Sequence, residues 1–271
     1  MNDSRTYNYL KEFTLRLQKE GKYSFVLEDL NNNFPNLNNV AFKFALNRLS
    51  KKGDIVSVRK GYYVIIPPEY AAMNILPPDL FINDLMSWLN KPYYIGLLNA
   101  AAFHGAGHQQ PQEFFVITNQ PALRTIHKRN IKINFLTKKK FPLIGLVKVK
   151  TDTGFAYYSS PGLTAIDLLY FANKIGGINR VVTILSELAE QIEYNELKNI
   201  LKQDFPGSVL QRLGYIFEKV LLKDKLSKAI AVTLRTRNIY RVPLAGRKRK
   251  AGFKLDKKWK IIVNTIVESD L

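Results

Sequence analysis

The chain has 271 residues, 46% hydrophobic and 23% charged, which excludes wholesale disorder and leaves room for two cores. Lys and Arg number 41 against 22 Asp and Glu, a formal net charge of +19 that attracts polyanions, nucleic acid first among them. Cysteine is absent, which excludes disulfides, cysteine-ligated zinc, iron–sulfur clusters and thiol catalysis, and no apolar run approaches the roughly 18 residues of a membrane span.

The N-terminus, MNDSRTYNYLKEF, lacks the apolar stretch of a signal peptide, so a cytoplasmic protein without a membrane partner is expected. Ser4 can cap a first helix that sets Tyr7, Leu10, Thr14 and Leu17 at three-to-four spacing and ends at Gly21. Tyr23-Ser24-Phe25 reads as extended, and Val26 to Asn33 as a short helix with Leu27 and Leu30 inward. After a turn at Pro35, Asn38 can cap a third helix from Asn39 to Lys52, stopped by Gly53. Ile55 to Val58 and Tyr62 to Ile66 flank the turn Arg59-Lys60-Gly61 and predict a β-hairpin. Three helices and a hairpin follow in the order of a winged helix-turn-helix.

At 100° per residue, Phe42, Ala45 and Leu49 of the third helix fall together, flanked by Ala41 and Leu46. Asn39, Lys43, Asn47 and Ser50 lie opposite, with Val40 and Lys51 beside them. Amides, hydroxyls and cations are the groups that bond base edges and phosphates in a major groove. An ordinary solvated helix face carries similar residues; the basic hairpin tip, Arg59 and Lys60, is what turns the reading towards duplex DNA.

Pro67-Pro68 and Leu76-Pro77-Pro78 bracket a break in regular structure, placing an expected boundary between residues 1–70 and 76–271. Beyond it the sequence predicts a helix over Asp79–Leu89 and an apolar helix over Leu97–His104. Strands follow at Glu113–Thr118, Ile131–Phe135, Leu146–Val149 and Phe155–Tyr158. Helices follow at Pro161–Asn173, Asn179–Gln191, Tyr194–Gln203 and Ser208–Lys223, then strands at Ile230–Leu234 and Trp259–Val263. Strands and helices in blocks indicate α+β.

Several sequence blocks resemble one family. Ala45-Leu46-Asn47-Arg48-Leu49, Lys52-Gly53-Asp54-Ile55 and Arg59-Lys60-Gly61-Tyr62-Tyr63 resemble the winged helix that opens AbiEi-type antitoxins. The run from Tyr94 to Gly105 (YIGLLNAAAFHG), followed by Gln110-Pro111, resembles the start of the AbiEi C-terminal domain. So do Ser160-Pro161-Gly162-Leu163-Thr164-Ala165-Ile166-Asp167-Leu168-Leu169, Gln211-Arg212-Leu213-Gly214-Tyr215 and Lys258 to Asn264 (KWKIIVN), further along it. The resemblance implies the antitoxin of a type IV toxin–antitoxin pair linked to phage abortive infection. It implies repression of its own operon through the winged helix, and opposition to a nucleotidyltransferase-like toxin through the C-terminal domain.

Candidates for catalysis are weak, and neither an enzyme nor a cofactor is expected. His104 and His108 are separated by two glycines, and His104 reads as a helix-end residue that bonds backbone. His127 falls in a basic loop. Glu196-Leu197-Lys198 lacks the acidic strand of an E-x-K nuclease, and Gly176-Gly177 is a helix-to-helix turn and not a phosphate loop. Asp167 is expected to cap or form an ion pair inside its domain, with Arg212 a candidate partner. Residues 76–150 and 226–271 carry net +7 and +9, whereas 151–225 carry −1. The densest run, Arg247-Lys248-Arg249-Lys250, reads either as an RNA- or DNA-contacting patch or as a solvated basic loop. The alternative to an antitoxin is a winged-helix repressor whose C-terminal domain senses a ligand or binds RNA.

Overall fold

The computed structural model describes residues 3–37, 39–107, 111–246 and 251–267, leaving aside the side chains of residues 3–5 and 39. It opens with α1 (Asp3–Lys19), β1 (Ser24–Val26), α2 (Leu27–Asn33), α3 (Asn39–Lys52), β2 (Ile55–Arg59) and β3 (Tyr62–Ile65). Then come α4 (Ile82–Trp88), β4 (Tyr93–Ile95), α5 (Leu97–Phe103), β5 (Phe114–Thr118), β6 (Ile126–Lys128), β7 (Ile131–Thr137), β8 (Leu146–Thr151) and β9 (Gly154–Ser159). The rest is α6 (Pro161–Tyr170), α7 (Ile178–Leu188), α8 (Tyr194–Ile200), α9 (Gly207–Tyr215), α10 (Asp224–Arg235), β10 (Val242–Pro243), β11 (Leu255–Asp256) and β12 (Ile261–Ile262). This is a mixed α+β protein. It divides into two compact units, one of residues 1–93, 112–137 and 148–157, the other of residues 94–111, 138–147 and 158–271. The proline-bracketed stretch 67–78 lies inside the first unit.

In the first unit the apolar period of α1 places Tyr7, Leu10, Phe13 and Leu17 in a core with Leu30, Phe42, Ala45 and Leu49. Each leucine or phenylalanine among them contributes about 1.5–3 kcal/mol on full burial. The helix begins at Asp3, so Ser4 lies within its first turn and does not precede it. Asn38, read as the cap of α3, lies outside the described residues. β3 sits between β1 and β2, antiparallel to both. Gly61, at φ +84°, closes the hairpin, and its carbonyl accepts the Leu27 N–H at 2.9 Å, which ties the hairpin tip to the start of α2.

Elsewhere in this unit β5 runs parallel to β7, with Phe114 beside Ile133 and Thr118 beside Thr137. Ile131, Ile133 and Phe135 of β7 are buried, as their alternation predicts, while Lys132 is exposed. The segment around His127 is a strand, β6, antiparallel to β7 and not a loop; pairing with β7 supplies the order that its polar sequence does not advertise. The helix expected from Asp79 starts only at Ile82, because Pro78–Leu80 forms a 3₁₀ turn first.

In the second unit Ile95 of β4 pairs in parallel with Tyr158 of β9. Helix α6 is buried from Gly162 to Leu169. Ile230–Leu234, expected as a strand, is the second half of α10. Leu226, Ala229, Ile230 and Leu234 are buried, an i, i+3, i+4, i+8 spacing that a helix gathers on one face and an alternating strand does not, and α10 packs on α9. The final strand is shorter than Trp259–Val263: Trp259 and Lys260 form a turn, and only Ile261–Ile262 pair, in parallel with β10 and antiparallel with β11.

Candidate nucleic-acid interface

Helix α3 turns the stripe expected to be core inward: Phe42, Ala45, Leu46 and Leu49 are buried. Lys43, Asn47 and Lys51 are exposed and Ser50 half-buried. A groove of about 590 Å³ separates α2 and α3 from the hairpin, and Lys43, Asn47 and Ser50 line one side of it while Lys60 lines the other. Four of the predicted site residues thus share one concave surface. Lys51 and Arg59 are not among its lining residues, and Arg59, at the end of β2, is half-buried. Asn39 is the first residue of α3, its side chain outside the described set. Arg247, Lys248, Arg249 and Lys250 lie outside the described residues, as does His108.

Three features of this surface were not evident from the sequence. Glu28 brings an acid to the groove, and Trp88 of α4 supplies an aromatic wall from beyond the proline break. Arg129, in the turn between β6 and β7, donates to the Ser50 carbonyl at 2.9 Å and to Asn74 Oδ1 at 2.8 Å. The Ser50 carbonyl also accepts the Gly53 N–H at 3.2 Å, and a guanidinium added to it in the last turn of the helix complements the helix dipole, so Arg129 helps to fix the C-terminal end of α3. Arg48 and Lys52, also on α3, are held over the Tyr7 ring, 4.2 and 4.9 Å from its centre. The cations of α3 accordingly divide: Arg48 and Lys52 stack on α1, whereas Lys43 faces the groove.

Several polar residues of the second unit serve its core. Lys138, itself buried, forms an ion pair with the buried Asp167, and Tyr94 Oη donates to the same carboxylate at 2.6 Å. The expected partner, Arg212, instead donates from Nε to the Pro243 carbonyl at 2.9 Å. Burial raises the Asp167 pKa against the lowering effect of Lys138 and Tyr94. His104 closes α5 and its Nε2 contacts the Ser159 carbonyl at 2.8 Å, the backbone role read from its position. Glu196 accepts from Ser160 Oγ and from the Gly162 N–H, and burial pushes its carboxyl up. It is engaged in holding the start of α6. Among the described residues no three His, Cys, Asp or Glu side chains gather to hold a metal, and no helix is long and apolar enough to cross a membrane.

Fold and site together define a basic α+β protein with a groove lined by cations, an amide and a hydroxyl on its N-terminal helices. Residues 94–219 match the AbiEi antitoxin C-terminal domain, so this part of the chain is similar to AbiEi-family antitoxins. The fold is also similar to that of the RV2827C protein from Mycobacterium tuberculosis, whose crystal structure aligns with a TM-score of 0.62 at 16% identity. That alignment covers 94% of this chain and 90% of the other. No curated protein matches the sequence.

Proposed function

We propose that this protein is the antitoxin of an abortive-infection toxin–antitoxin pair and represses its own operon. In this reading residues 1–70 form a winged helix-turn-helix that docks α3 in the major groove of duplex DNA, with Asn47 and Lys43 towards base edges. Lys51, Arg59 and Lys60 contact phosphates, with Ser50 and the start of α3 at Asn39 near the duplex. The segment 76–271, which contains the family domain, opposes a nucleotidyltransferase-like toxin. The observation that carries the DNA-reading half is the shared groove: Lys43, Asn47 and Ser50 on α3 face Lys60 across it. The antitoxin half rests on the family match over residues 94–219.

A rescue assay separates the two activities. The cognate toxin is expressed from an unrelated promoter, so that repression cannot protect the cell. The full chain carrying Lys43→Ala, Asn47→Ala and Arg59→Ala together is predicted to rescue growth as well as the unsubstituted chain while losing repression of an operon reporter. Loss of rescue in this variant with its folding intact would show that protection runs through the DNA-reading surface, contrary to this assignment.

A further inference from the structure

The second unit contains a cleft of about 650 Å³, in the size range of small-molecule sites. Arg212 of α9 lines it, along with Asn173, Asn179 and Ser208. Among the described residues, none that lines it is acidic. Arg212 is half-buried, and its Nε donates to the Pro243 carbonyl. Among the described residues its two terminal nitrogens have neither a carboxylate nor a carbonyl partner. Burial alone lowers its pKa, with no neighbouring charge acting on it. A guanidinium removed from water without a counter-charge is costly, and an anion arriving in the cleft would offset that cost. One terminal nitrogen lies 3.8 Å from where a side chain on Gly246, at the rim, would begin.

Two helix starts add further donors. In α7 the intrahelical bonds begin with Val181 N–H to the Gly177 carbonyl, which leaves the amides of Ile178 and Asn179 free of backbone partners at the cleft. In α9 they begin with Val209 N–H to the Pro206 carbonyl, leaving that of Ser208. Free first-turn amides carry the positive end of the helix dipole. These helices have 11 and nine residues, long enough to develop one.

From the terminal nitrogens of Arg212, the lining without acids among the described residues and the first-turn amides of α7 and α9, we infer that this cleft binds a phosphate group, free or on a mononucleotide. Arg212 supplies the bidentate fork, the amides and Ser208 bond the remaining oxygens, and Asn173 and Asn179 lie where a nucleoside attached to the phosphate would meet them. This site is independent of the DNA-reading groove.

Calorimetric titration of the full chain with inorganic phosphate and with AMP, at fixed ionic strength, tests it. One saturable site is expected for each probe. Equal affinities would identify the phosphate group as the whole determinant, and at least tenfold tighter AMP binding would add the nucleoside; either supports the assignment. Arg212→Gln is expected to weaken both probes at least tenfold. Because Arg212 also holds Pro243, Ser208→Asp provides the second variant: a carboxylate in the first turn of α9 suits the helix but repels an anion, and at least tenfold weakening is again expected. Lys198→Gln, which removes a charge from α8 outside the cleft, should leave binding unchanged. Absence of saturable binding to the unsubstituted chain, or retention of full affinity by Ser208→Asp, would overturn the inference.

Discussion

Glu218 shows how single residues of the second unit are fixed by partners both adjacent and distant in sequence. Its carboxylate accepts from the Trp259 indole at 3.0 Å and pairs with Lys258 and with Lys219, the latter at 2.8 Å. Burial works to raise its pKa, but the bonds from Lys219, Lys258 and Trp259 outweigh it and lower the value from 4.5 to about 2. A carboxylate depressed in the folded state contributes stability above its unfolded pKa and loses it as pH falls through the folded one. Thermal stability should therefore fall between pH 4.5 and 2, and Glu218→Gln should flatten that fall. Equal slopes for the two proteins in melting curves across this range would contradict the role given to this carboxylate. Single residues were legible in the sequence where their meaning was periodic: the angular positions of Lys43, Asn47 and Phe42 on α3 foretold which face each occupies. Arg129 on Ser50 and Lys138 on Asp167 were not, since nothing local to either cation names an acceptor tens of positions away.

At the level of elements, helix α9 and the C-terminal strands explain each other. Gln211 donates to the carbonyls of Tyr240 and Trp259, both at 2.8 Å, and Arg212 to that of Pro243. The Trp259 ring, fully buried, packs against Gly214, where a methyl group would overlap its six-membered ring. Gly214→Ala should therefore cost about 1–3 kcal/mol or more through overpacking. Gly207→Ala, on the same helix with only an ordinary contact to Ile239, should be neutral or stabilise by up to about 1 kcal/mol. Urea midpoints of the two variants compare them directly, and a Gly214→Ala protein as stable as Gly207→Ala would refute this packing. The same region held the clearest misreading of the sequence. Ile230–Leu234 is rich in β-branched and apolar residues, and its propensity points to a strand, but the i, i+3, i+4 spacing of Leu226, Ala229 and Ile230 decides for a helix that packs on α9. Apart from the Ser4 cap, the described elements up to Ile65 are legible almost to the residue, because glycines and apolar period agree there. The short strands β6, β10 and β11 escaped notice because only pairing makes them strands.

For the whole molecule the central claim is that a chain of net charge +19 binds duplex DNA through a defined surface and not by diffuse attraction. Diffuse attraction would survive the loss of three side chains, whereas a docked α3 would not. The uneven charge was legible in the sequence and pointed to nucleic acid; the groove that gathers Lys43, Asn47, Ser50 and Lys60 was not, because it depends on the hairpin folding back towards α2. The most direct test is the affinity of the full chain for a duplex carrying its own operator, measured across a salt series beside the Lys43/Asn47/Arg59 triple alanine variant. If about six phosphates are neutralised, the logarithm of affinity should fall against the logarithm of salt with a slope of roughly −5. The variant should lose sequence preference, and each base-contacting side chain should account for about 1–3 kcal/mol of the loss. An affinity nearly independent of salt, or full operator binding by the triple variant, would contradict the assignment of this surface.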